Sequence, residues 1–100
     1  MTYQSRLQDK FMDQLIEAIL SLKNKEEGYR FFEDLCTVAE LKAMSQRLAV
    51  AKMLKQDLTY TEIAASTGAS TATISRVKKC LYFGADGYRL VLKRLAANSG

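Results

Sequence analysis

The stretch YTEIAASTGASTATISRVKK, Tyr60 to Lys79, places two short helical patterns on either side of one glycine. Thr59-Tyr60-Thr61-Glu62 is a capping box, with a hydroxyl to accept a backbone N–H three residues on and a carboxylate to reach back. It opens a helix that must end near Gly68, which turns the chain left-handed without a Cβ penalty. Ser70 caps a second helix, expected to run to about Tyr82. Two short helices crossing steeply about such a turn form a helix-turn-helix. Ile63 supplies its first buried contact, and Ala64 is small where the helices approach. Ala69 fits an interior position in the turn. Ile74 and Val77 stand three apart on one face of the second helix and pack back. The expected core of the motif is therefore Ile63, Ala64, Gly68, Ile74 and Val77.

The other face of the second helix differs in kind. Ser70, Thr71, Ala72, Thr73 and Ser75 are short, and Arg76 and Lys79 are long cations. Short side chains let a helix sit deep in a major groove about 12 Å wide. Hydroxyls meet base edges or phosphates, the methyls of Thr71 and Ala72 meet thymine, and the cations reach the backbone. These seven residues are the expected contacts to double-stranded DNA. With only Arg76, Lys78 and Lys79 cationic there, non-specific affinity should be modest and strongly salt-dependent.

Outward from the motif, apolar residues keep a helical period. Leu7, Phe11, Leu15, Ile19 and Leu22 recur at spacings of four, four, four and three, predicting an amphipathic helix of about five turns over Tyr3–Lys23. The stripe suits a core helix of a monomer or a dimerisation helix, and its width favours a dimer interface through those five residues. Asn24 caps the next helix, with Glu27 reaching back and Tyr29, Phe32, Leu35 and Cys36 on its apolar face. Thr37-Val38-Ala39-Glu40 caps a helix to about Lys55. Its candidates for burial are Leu41, Met44, Leu48, Val50, Ala51 and Leu54, with Arg47, Lys52 and Lys55 turned to solvent or a partner. Gly84 closes the second motif helix. Asp86 caps a last helix through Leu90, Val91, Leu92 and Leu95, and Asn98-Ser99-Gly100 reads as a frayed end. The expectation is an all-α chain of about six helices in one domain over residues 1–100. Residues 1–57 are dimerisation and core helices, 58–83 the helix-turn-helix, and 84–97 the C-terminal helix.

Composition agrees with that class. The chain has 100 residues, no proline and five glycines, so few positions force a break. Its net charge of +4 is uneven: residues 1–36 carry −2, 37–57 carry +2 and 58–100 carry +4. A polyanion would dock on the second half. Cys36 and Cys80 read as buried apolar residues rather than a disulfide or metal pair. There is no signal-peptide pattern, and no apolar run approaches the roughly 20 residues that span a bilayer, so a cytoplasmic protein without a membrane partner is expected. The sequence has no histidine and no glycine-rich phosphate loop, and the carboxylate pairs Glu26-Glu27 and Glu33-Asp34 fall on an exposed helical face. No enzyme, metal or cofactor is expected.

On the residues Leu35-Cys36-Thr37, Glu40, Arg47 and Gly68-Ala69-Ser70-Thr71-Ala72-Thr73-Ile74-Ser75-Arg76, the chain resembles the Trp repressor superfamily, in particular its YerC/YecD branch. The resemblance implies an all-helical, intertwined homodimer whose N-terminal helices wrap the partner. Two-fold symmetry would then set the recognition helices roughly 34 Å apart, on a pseudo-palindromic operator. It further implies a transcriptional regulator acting as a repressor. It maps ligand-pocket positions onto Thr37, Arg47 and Arg76, all matching in type. It departs at Val77, where the pocket needs glycine, and at Cys80, where it has serine. Aligning Arg47 also takes a one-residue deletion between it and Thr59. The Val77 isopropyl group takes the space of an indole ring, so no tryptophan is expected. Two other readings stand beside a DNA-binding regulator: a helical protein-interaction module, and a repressor responsive to another small molecule.

Overall fold

A computed structural model describes residues 3–98; Ser99 and Gly100 of the expected frayed end lie outside it. In chain order its helices are α1 (Lys10–Leu20), α2 (Lys25–Leu35), α3 (Val38–Lys55), α4 (Tyr60–Thr67), α5 (Thr71–Phe83) and α6 (Gly87–Asn98), with no strand among the described residues. The chain divides into two compact units, Met1–Val38 and Ala39–Gly100.

In the first unit, α1 is shorter than its apolar pattern predicts. Asp9 stands in extended backbone and its carboxylate accepts the Met12 N–H at 2.8 Å, so the helix starts there. Ser21 stands at the C-terminal cap. Leu7 and Leu22, expected on the stripe, therefore fall before and after the helix, and Phe11, Leu15 and Ile19 remain on it. An apolar period persists through a capping residue, whereas a helix does not. In α2, the Asn24 side chain accepts the Glu27 N–H at 2.9 Å as expected, but the Glu27 carboxylate takes the Lys23 N–H, one residue beyond the cap. Neither α1 nor α2 contains a buried residue: Phe11 is 80% and Leu20 77% exposed.

The second unit holds the core. Val50, Ala51 and Leu54 of α3, Ile63 of α4, Ala69 of the turn and Ile74, Val77 and Leu81 of α5 are buried together. Met53, Leu58, Tyr60, Ala64, Tyr88 and Leu92 pack against them. Burial of each large side chain contributes about 1.5–3 kcal/mol relative to exposure. The helix α3 carries apolar residues on two sides, because Leu41 and Leu48 stand across the helix from Val50. Of the six burial candidates on α3, Val50, Ala51 and Leu54 are buried, Leu41 is half-buried, and Met44 and Leu48 are exposed.

The end of α3 is locked by the Leu58 N–H donating to the Met53 carbonyl and the Asp57 N–H to the Leu54 carbonyl, with Asp57 left-handed at φ 62°. This six-to-one and five-to-two pairing is the Schellman stop, here with aspartate in the usual glycine place. It delivers Leu58 to the core and the chain to the cap of α4. At the start of α6, Asp86 is also left-handed, at φ 67°, and its carbonyl accepts the Leu90 N–H at 3.0 Å.

Candidate nucleic-acid interface

The helix-turn-helix is α4, the turn 68–70 and α5. The Thr59 hydroxyl accepts the Glu62 N–H at 3.1 Å, and the Glu62 carboxylate accepts the Thr59 N–H at 3.0 Å, completing the capping box. Hydrogen bonding to the Thr59 backbone N–H first, and to the Thr59 side chain second, holds the Glu62 carboxyl below the ordinary glutamate range. Gly68 ends α4 at φ 74°. Ser70 caps α5, its hydroxyl accepting the Thr73 N–H and donating to the Thr73 hydroxyl, both at 3.1 Å.

Beneath the turn, Ile63 and Ile74 have no exposure and Val77 has 2%, so the two helices are wedged apart at a fixed angle. Ala64 is half-buried against them. The turn carries a fastening that the sequence does not announce. The Thr67 hydroxyl donates to the Ile63 carbonyl at 2.8 Å and accepts the Ala69 N–H at 3.1 Å. The Thr67 carbonyl accepts from the Gln46 amide of α3 at 3.1 Å. A threonine beside a turn glycine is the available clue for the first two bonds. Gln46 lies 21 residues from Thr67 and gives none.

On α5, Thr71, Ala72, Ser75, Arg76 and Lys79 are exposed. Thr73 is half-buried and bonded to the cap, so it stands aside from that face. The exposed face is lightly charged and smooth at its start, with cations farther along. Lys78 lies with its ammonium 5.8 Å from the Tyr60 ring centroid. Cys80, expected to be buried, is exposed, because it lies at the edge of the Ile74–Val77–Leu81 face and turns past it; Cys36 is half-buried, and both thiols are free. Of the possible ligand-pocket residues, Thr37 is exposed ahead of α3, Arg47 is half-buried on α3 and Arg76 is exposed on α5. Among the described residues no cluster of potential metal ligands occurs, and no helix is long and apolar enough to cross a membrane.

An all-α chain that presents one short-side-chain helix from a rigid two-helix wedge is a helix-turn-helix protein. More particularly, this chain belongs to the Trp repressor family, whose sequence profile, Trp repressor protein, matches residues 10–96. It is 56% identical over 90 residues to the uncharacterised protein YerC of Bacillus subtilis, covering 90% of this chain and 86% of YerC, which places it in the YerC-like branch. Its fold matches a crystal structure of a candidate Trp repressor from Staphylococcus aureus with a TM-score of 0.87 and 54% identity, over 91% of each chain. It matches a TrpR-like protein from Eubacterium eligens with a TM-score of 0.88 and 54% identity, over 91% of this chain and 94% of that one. At the level of the family, the chain is a DNA-binding regulator.

Proposed function

We propose that the chain is a sequence-specific regulator of transcription that binds double-stranded DNA as a homodimer, as a repressor, through α5. The observation that carries this reading is the outward face of α5. Thr71, Ala72 and Ser75 are short enough to enter a major groove, and Arg76 and Lys79 stand where phosphates flank it. The buried Ile63–Ile74–Val77 wedge supports it, because a reading helix must be held rigidly to discriminate bases. A homodimer is supported by apolar side chains left open on α1, α2, α3 and α6, among them Phe11, Leu20, Leu48 and Leu95. Selection of bound sites from a random DNA pool tests the reading. A recovered pseudo-palindrome with half-sites about one helical turn apart is the expected result. A pool with no enrichment, and no salt-dependent binding, would favour a protein-interaction module instead.

Tryptophan is not the effector in this proposal. Val77 is packed into the core of the second unit at 2% exposure, where its methyls hold α5 in place without a ligand. Calorimetry should show no heat of binding for L-tryptophan; micromolar affinity would overturn this part of the reading.

A further inference from the structure

On the flank of α5, a shallow open hollow of about 630 Å³ is lined by Ser75, Lys78, Lys79, Tyr82, Phe83 and Arg89. Two rings form its apolar part, and Phe83 is 85% exposed. Three cations form its rim. Two of them are held in place by aromatic faces: the Lys78 ammonium lies 5.8 Å from the Tyr60 ring, and the Arg89 guanidinium lies 5.6 Å from the Tyr82 ring. Arg89 is tied further by its Nε donating to the Leu81 carbonyl at 2.9 Å. One carboxylate stands near, Asp86, at 4.0 Å from Arg89. The rim is thus net positive, and two of its three cations, Lys78 and Arg89, are held before any ligand arrives, so less rotamer entropy is lost on binding.

The hollow is too open for a small molecule, which needs most of its surface buried. An open, cation-rimmed channel with apolar walls suits a continuous anionic strand. Ser75 and Lys79 belong to the hollow and to the reading face alike, so the two surfaces are continuous.

We propose that this hollow is a groove for the DNA backbone beside the base-reading contacts. Phosphates lie against Lys78, Lys79 and Arg89, and a deoxyribose packs on Tyr82 and Phe83. The inference rests on the DNA-binding reading above and extends the interface from the helix-turn-helix to α6. Backbone contacts fix position and affinity without reading sequence, so the groove sets salt dependence rather than operator choice.

The test uses the full chain, a labelled duplex recovered by site selection and an unrelated duplex of equal length, titrated with salt. Arg89→Gln and Lys78→Gln should each lower the slope of log affinity against log salt by about one per chain and weaken both duplexes alike. Arg89→Lys should keep the slope. Phe83→Ala should weaken binding with the slope unchanged. Wild-type affinity and slope in folded Lys78→Gln and Arg89→Gln would overturn the groove, and Lys78→Gln alone decides if Arg89→Gln unfolds. A change of sedimentation state in Phe83→Ala would also overturn it, by assigning the hollow to a contact between copies. Failure of the wild type to bind either duplex would sink the underlying reading instead.

Discussion

Thr67 shows how much a single hydroxyl carries in a short turn. It closes α4 by donating to Ile63, then receives the Ala69 N–H that would otherwise be stranded beside a buried core. Thr67→Val keeps the shape and removes both bonds. It should cost about 1–3 kcal/mol, since a buried donor is left unpaired, and thermal unfolding would report it. Gly68 was legible for a different reason: a left-handed turn between two helices leaves few residue types to choose from. Gly68→Ala meets no neighbour within 4 Å, so its cost is purely that of φ 74°. That cost is about 1–2 kcal/mol, and an unchanged unfolding midpoint would contradict it. The Thr67 fastening was not legible, because its partners are defined only once the turn exists. The same holds for Lys78 on Tyr60 and Arg89 on Tyr82, where pairing depends on which way two helices face.

At the scale of elements, caps and periods were read with unequal success. The bounds of α4 and α5 follow from Thr59, Gly68, Ser70 and Gly84, because each imposes a local backbone state. The bounds of α1 do not follow from its apolar stripe, because hydrophobic spacing continues past Asp9 and Ser21 while the hydrogen-bond ladder stops. The capping box of α4 also makes a pH prediction. The Glu62 carboxyl is held low in the folded chain, so the unfolded chain takes up its proton first as pH falls. Its contribution is present above the ordinary glutamate range and is lost as pH drops through the lower folded value. Glu62→Gln keeps an acceptor for Thr59 and should flatten that acid limb of a stability–pH curve; an unchanged limb would count against the box. For α5, reversing Arg76 and Lys79 to glutamate should abolish DNA binding by anisotropy while leaving the helical content intact. Retained affinity would mean that this face does not meet DNA.

For the whole molecule, the sequence showed where apolar surface is but not what covers it. Ile63, Ile74 and Val77 could be assigned to a core because the helix-turn-helix supplies their partners locally. Leu7, Phe11, Leu15, Ile19 and Leu22 could be assigned only to a stripe, and a stripe fits a monomer core or a second chain equally well. Placing aspartate at Leu15 and Ile19 together should yield monomer or unfolded chain in analytical ultracentrifugation, and a folded wild-type dimer would clear that face of any role in assembly.

The two-faced helix α3 has a consequence for control. A helix with one apolar side on the reading head and another on its subunit partner, as proposed, ties the stability of the head to pairing. The competent species then forms in proportion to the square of chain abundance while chains are scarce. Halving expression would cut the supply of competent dimers about fourfold in that regime. The cell's dosage of this protein would then be a control input in its own right, with no effector required.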